Sequence, residues 1–235
     1  MTYFWFRRDL LLEENVGLFH CLKENPQVQA IFIFDPEIIS ELDHEDARIS
    51  FIHQELEKIH VQLQELGSSL LVFNDTPQNV FTDLTKDQAV TVYTNKDYEP
   101  FALKRDQEVA AILASKNSTL RSYKNQVIFE EGEVLKPDGK PYTVYTPFKN
   151  KWLLKFKETA LQLYKTEAYW SHFTSSEHVF PSLQDIGFSL SKISVLDWRD
   201  TDVNYKTDRD FPSVASTSLL SPHLRFGTVS IRALI

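Results

Sequence analysis

Short apolar runs alternate with stretches of helical periodicity over the first half of the chain. Runs at Thr2–Phe6, Val28–Phe34, 69–73, 89–94 and Thr119–Tyr123 have the length and the β-branched or aromatic content of strands. Between the second and third, Ile49, Ile52, Leu56, Ile59, Leu63 and Leu66 recur at spacings of three and four, which makes one apolar stripe, and Gly67 follows as a C-terminal cap. Another helix opens at Pro100, with Ala102, Val109 and Leu113 on one side and Lys104, Arg105, Asp106 and Glu108 on the other. Strands that alternate with helices are the pattern of βαβ units. The fold predicted for residues 1–130 is therefore α/β, a five-stranded doubly wound parallel sheet covered on both faces.

Beyond residue 125 the periodicity fails, and Pro137, Asp138, Gly139 and Pro141 mark a turn between extended surface pieces. Thr146 then reads as a helix N-cap with Pro147 at the first helical position. Phe148, Trp152, Leu153 and Phe156 line one face of that helix, and the face is expected to be buried. Residues 166 to about 204 carry Ser, His, Pro and Phe without a long period and read as a linker crossing between domains. Helical segments broken at Gly227 fill 217–235, too few residues to bury a core. The expected division is an α/β domain at 1–130, a closing helix and linker at 131–200, and the incomplete start of a helical domain at 201–235. Leu234 and Ile235 end the chain within an apolar pattern, which predicts an exposed apolar face prone to self-association.

Composition narrows the class. Aromatics are plentiful and glycine is scarce, with 17 Phe, 9 Tyr and 4 Trp against 6 Gly, which excludes a disordered tail or a fibrous repeat. The opening apolar run meets Arg7, Arg8 and Asp9 too soon to be a signal peptide or a membrane span. Cys21 is the single cysteine, lies in an apolar helical stretch, and reads as a buried unreactive thiol in a soluble protein of a reducing, cytoplasmic setting. A net charge of −8 argues against a large nucleic-acid surface within these residues.

In a doubly wound sheet, ligands bind at the carboxyl ends of the strands where the order reverses, here the first and fourth. The first strand runs into Arg7-Arg8-Asp9 and the fourth into Asn95-Lys96-Asp97-Tyr98-Glu99, so a crevice lined by Arg7, Arg8, Asp9, Asp97 and Glu99 is expected. The ordinary alternative is that these are solvated loop charges. No closely spaced glycines follow the first strand, which argues against a nicotinamide dehydrogenase. The histidines lack metal spacing, His44 reading as a solvated or capping residue, and no Gly-x-Ser-x-Gly elbow occurs. Thr217-Ser218-Leu219-Leu220-Ser221-Pro222 places hydroxyls and free N–H groups where a helix begins, an arrangement that either caps the helix or holds an anion such as a phosphate.

Four segments carry a resemblance. They are Phe4-Trp5-Phe6-Arg7-Arg8-Asp9-Leu10 with Asn15, the stretch from Asn95 to Arg105-Asp106, Thr143-Val144-Tyr145-Thr146-Pro147-Phe148 with Trp152, and the run from Thr217 to Gly227. In this order they resemble the photolyase and cryptochrome family. The resemblance implies a Rossmann-like antenna domain joined by a long linker to an all-helical domain that holds FAD. It also implies that repairing members flip a cyclobutane pyrimidine dimer out of damaged DNA and split it with an electron from light-excited reduced flavin. Carried over by motif, Tyr205, Thr217, Ser218, Leu219, Leu220 and Ser221 contact FAD, and Arg209 meets DNA near the lesion. Asp9, Asp97 and Glu99 lie beside the antenna, a methenyltetrahydrofolate or a deazaflavin.

Two positions depart from the family pattern, Leu11 where another Arg is usual and Glu14 where Asp is usual. Loss of that cation from the crevice is expected to loosen antenna binding. The flavin-embracing helices, the tryptophan relay and the basic DNA groove are expected in a further stretch of chain, so Trp5, Trp152, Trp170 and Trp198 read as packing residues. The leading expectation is a piece of a deoxyribodipyrimidine photolyase, inactive by itself. A cryptochrome-type photoreceptor and a stand-alone antenna-binding module are the alternatives.

Overall fold

The computed structural model describes residues 1–200 and 204–235. Strands β1 (Thr2–Phe6), β2 (Val28–Phe34), β3 (Leu71–Asn74), β4 (Thr91–Asn95) and β5 (Thr119–Tyr123) pair in parallel in the order β3-β2-β1-β4-β5. This is the doubly wound α/β sheet expected, with its reversal between β1 and β4. β3 and β4 begin two residues later than their apolar runs, where the amides just before each strand bond to side chains. The Leu70 N–H donates to His60 Nδ1 at 3.3 Å and the Val90 N–H to Ser118 Oγ at 2.9 Å.

Helices α1 (Val16–Glu24), α2 (Pro36–Ile39), α3 (Ala47–Glu65), α4 (Pro77–Leu84) and α5 (Pro100–Ser115) connect the strands. The period-two alternation of β1 puts Phe4 and Phe6 into one core with Leu18, Leu22, Leu56 and Leu63 from α1 and α3. Tyr3 and Trp5 enter a second core with Val80, Phe81, Val109 and Leu113 from α4 and α5. Every residue of β2 is buried, as expected of a strand covered on both faces. Gly67 ends α3 at φ 74°, its N–H bonding Gln64 O while the Ser68 N–H bonds Leu63 O.

Three expectations are corrected. Arg105 lies on the buried face of α5, 8% exposed, beside Ala102, Val109 and Leu113. Helix α6 (Tyr145–Glu158) is capped at Val144 without a side-chain bond, so Thr146 is inside the helix, and none of its residues is buried. Trp152 stacks on Phe156 at 5.0 Å and meets Phe129 edge-on, but Phe148 and Leu153 of the same stripe are exposed. The stripe is real, yet only a local loop covers part of it. Finally, residues 166–191 are a strap and not a free linker. Phe173 pairs with Val28, the Thr174 N–H donates to Val28 O at 2.9 Å, and Phe173, Leu183, Ile186 and Phe188 are buried in the core of the α1/α3 face. Irregularly spaced apolar anchors leave no helical or strand period, which is why this packing was invisible.

Helices α7 (Tyr205–Asp208) and α8 (Leu220–Phe226) follow, and the boundary expected at residue 201 lies outside the described residues. Between 204 and 235 only Ser216 and His223 are buried, so this stretch has no core of its own. Leu234 and Ile235 are exposed, and so is Trp198, which does not pack as expected. Among the described residues no helix is long and apolar enough to cross a membrane.

Candidate functional site

A cavity of about 550 Å³ opens at the carboxyl ends of β1, β2 and β4. Its apolar walls include Phe34, Ile49, Phe101 and Phe226, and its charged residues are Arg7, Arg8, Arg48, Arg105 and Arg225 with Asp35, Asp97 and Glu99. Arg8 Nη1 lies 2.8 Å from Glu99 Oε1 and 3.4 Å from Asp97 Oδ1, while Arg225 Nη1 from α8 reaches the same Glu99 oxygen at 2.6 Å. Hydrogen bonding from Arg225, then from Arg8, holds the Glu99 carboxyl below its usual range. Deeper in, Arg7 and Arg105 each lie 5.0 Å from the centre of the Trp5 ring. Both also bond Asp106, Arg7 through Nη1 at 2.5 Å and Arg105 through Nε and Nη2 at 3.1 and 3.0 Å. Burial, reinforced by the neighbouring Arg7, pushes the Arg105 guanidinium below its usual pKa.

Asp9 does not line this cavity. It is 2% exposed and accepts from the Arg7 N–H at 2.7 Å, from Asn95 Nδ2 at 2.5 Å and from Asn15 Nδ2 at 3.3 Å. Burial raises its pKa against those donors. Leu11, whose missing charge was expected to loosen the crevice, borders a separate cavity of about 170 Å³ with Glu14, Asn125 and Arg232. Leu11 itself does not line the larger cavity.

Residues 217–222 form one wall of a third, open cavity of about 520 Å³, with Ser194, Val195 and Leu196 opposite. Leu219 has φ 59° and turns the chain into α8. Arg199 fixes the segment by donating its N–H to Ser218 O at 2.9 Å and its Nε to Thr217 O at 3.2 Å. Ser221 and Pro222 border both this cavity and the larger one, so α8 stands between them. Tyr205 and Arg209 sit apart from that wall, one helical turn from each other, with the Arg209 N–H donating to Tyr205 O at 2.9 Å. The Arg209 side chain is half exposed and pairs loosely with Asp210 at 3.8 Å.

Sequence reasoning missed Asp35, Arg48, Arg105 and the closing residues Arg225 and Phe226. Asp35 carried a usable signal, since it directly follows the apolar run of β2, which pairs with β1 on the side opposite β4. Arg105 was marked only by the resemblance of its segment, because its burial depends on Trp5 and Asp106.

A doubly wound sheet with a ligand-sized, arginine-rich cavity at its switch point has the cavity where α/β proteins of this architecture bind their ligands. Residues 2–166 match the DNA photolyase family, and the chain belongs to it. It is 30% identical over 97% of its length to a deoxyribodipyrimidine photo-lyase of Synechococcus, strain PCC 6301, covering 51% of that protein. To cryptochrome-1 of Arabidopsis thaliana it is 26% identical over 97% of its length, covering 36% of that protein. An archaeal photolyase from Sulfolobus tokodaii, solved with two FAD molecules and with the implication of a novel light-harvesting cofactor, superposes at TM-score 0.79 with 25% identity. That match covers 99% of this chain and 53% of the other. The chain thus spans about half the length of the photolyases it matches.

Proposed function

We propose that the chain serves a deoxyribodipyrimidine photolyase in the light-driven repair of cyclobutane pyrimidine dimers, with the larger cavity as its antenna site and residues 217–221 as one wall of its FAD site. The observation that carries this reading is the position of α8, whose first turn borders both cavities. Bound FAD supplies the light-driven electron for repair, and a bound antenna, methenyltetrahydrofolate or deazaflavin, supplies excitation energy. The chain's own part is binding and positioning. Thr217, Ser218, Leu219, Leu220 and Ser221 would hold the phosphates and ribityl chain of FAD through their hydroxyls and backbone. Asp97 and Glu99 anchor Arg8 and Arg225 at the mouth of the antenna site. Asp9 acts beneath it, by holding the backbone of Arg7. Tyr205 belongs to the flavin side, and the half-exposed Arg209 is positioned to meet damaged DNA. A cryptochrome-type photoreceptor uses the same two cavities and differs in what the excited flavin acts on.

Titration of the purified chain with FAD, methenyltetrahydrofolate and a deazaflavin, followed by near-ultraviolet and blue absorption, tests the reading. Saturable binding of an antenna compound is expected, with no light-dependent loss of dimers from irradiated DNA by the chain alone. Failure of every antenna compound to bind sinks the antenna assignment, and repair above a dark control sinks the claim that the chain alone is inactive.

A further inference from the structure

The larger cavity has an unmet hydrogen-bonding demand that restricts what enters it. Each arginine of its lining is partnered by carboxylates, Arg7 and Arg105 by Asp106, Arg8 by Asp97 and Glu99, Arg48 by Asp46 and Arg225 by Glu99. An anion entering here competes with carboxylates already in place, so charge alone does not select the ligand. Asp35 differs. It is 5% exposed, lines the cavity and caps α2, its Oδ1 accepting from the Glu37 N–H at 3.0 Å, while its Oδ2 is buried without a hydrogen-bond partner. A buried carboxylate oxygen left unpaired is costly, and a ligand that donates a hydrogen bond to it recovers that cost on binding. Arg105 lines the same cavity and acts on Asp35 electrostatically, its Nε and Nη2 bonded to Asp106. A carboxylate oxygen beside a guanidinium N–H is the complement of a ring N–H beside a ring carbonyl. The surrounding Trp5, Phe34, Phe101 and Phe226 favour a flat ring system.

We infer that Asp35 is a specificity residue of this cavity, its Oδ2 accepting a hydrogen bond from the ring N–H of a planar heteroaromatic lactam or imide. The inference rests on the antenna reading and deepens it. Flavins, deazaflavins and folate pterins all carry such an edge, so the experiment has an arm for each source.

The test uses fluorescence titration of the chain with riboflavin, its imide-N-methylated analogue, a 5-deazaflavin and methenyltetrahydrofolate, against wild type and Asp35→Asn. Asparagine keeps an oxygen for the Glu37 N–H, so the α2 cap and the melting temperature are expected to hold. Its amide then presents a donor where the cavity had an acceptor. Wild type is expected to bind riboflavin at least about tenfold more tightly than the methylated analogue, a preference Asp35→Asn abolishes. Loss of affinity in the deazaflavin or the folate arm on the same substitution identifies which of those rings uses this contact. Affinities that Asp35→Asn leaves unchanged in every arm overturn the Asp35 assignment alone. Binding of no compound at all overturns the antenna reading and this assignment with it.

Discussion

A charged residue at the end of a strand has three destinations, namely solvent, a ligand, or the protein's own amides, and Asp9 takes the third. Its carboxylate gathers the Arg7 N–H and the side-chain amides of Asn95 and Asn15, which in turn fix α1: Asn95 Oδ1 accepts from the Gly17 N–H at 2.9 Å and Asn15 Oδ1 from the Leu18 N–H at 3.1 Å. Those two bonds lock the orientation of both amides, so neither is free to flip. Asp9→Asn therefore sets an amide donor against two amide donors in a buried network. The expected cost is about 1–3 kcal/mol of stability, read as a lowered denaturant midpoint with an unchanged slope. An unchanged midpoint would mean that water reaches this network. The same residue shows what was legible. The pattern of strands located Asp9, Asp97 and Glu99 at the right end of the right strands, and the structure puts Asp97 and Glu99 in the cavity. That Asp9 turns inward depends on Asn15 and Asn95, which are distant from each other in sequence and whose role only the folded geometry supplies.

Among the elements, α8 borders both cavities and ends in a close approach to the exit of β1. Gly227 ends it at φ 65°, and a Cβ there would stand 2.4 Å from Arg8 O and 2.6 Å from Asp9 Cα. Both are backbone atoms of β1's exit, where the Leu10 N–H also donates to Phe226 O at 3.1 Å. Gly227→Ala is expected to lift α8 from this exit, for two reasons: the left-handed conformation costs about 1–2 kcal/mol for alanine, and the clash has no flexible side chain to absorb it. Faster exchange of the Leu10 amide and weaker antenna binding are the expected signs. Unchanged exchange would show that the backbone accommodates the methyl. The sequence marked Gly227 as a break but not why a glycine is needed, since the contact that demands it is more than two hundred residues away. Helix α6 is the opposite case. Its apolar stripe was legible from spacing, yet periodicity states that a face is apolar and not what covers it, and here Phe148 and Leu153 of that stripe are open.

At the scale of the whole molecule, two cations of the last stretch of chain pair with the α/β body, Arg225 with Glu99 and, more deeply buried, Arg232 with Glu14. Arg232 bonds Glu14 and Asn125 together: its Nε meets Glu14 Oε1 at 3.1 Å, Nη1 meets Asn125 O at 2.7 Å, and Nη2 meets Asn125 Oδ1 at 2.7 Å. The Arg232 and Glu14 side chains are 8% and 12% exposed, so the pair is largely removed from water. Glu14, at φ 51°, also accepts from the Tyr164 N–H at 3.1 Å and from Ser230 Oγ, joining the strap to the same point. Removing one partner of such a pair leaves a buried charge and costs about 3–5 kcal/mol if the surroundings cannot yield. Here they can yield, because 204–235 has no core of its own and detaching it exposes Glu14 to water. Arg232→Met is therefore expected to act locally. Exchange should quicken at Leu10 and Leu234, whose amides bond Phe226 O and Ser230 O, while amides in β1, β2 and β4 keep their protection. If protection instead fell together across the sheet, the carboxyl stretch would be part of the cooperative unit, and the small cavity beside Leu11 would be an interior seam and not the edge of a docked segment.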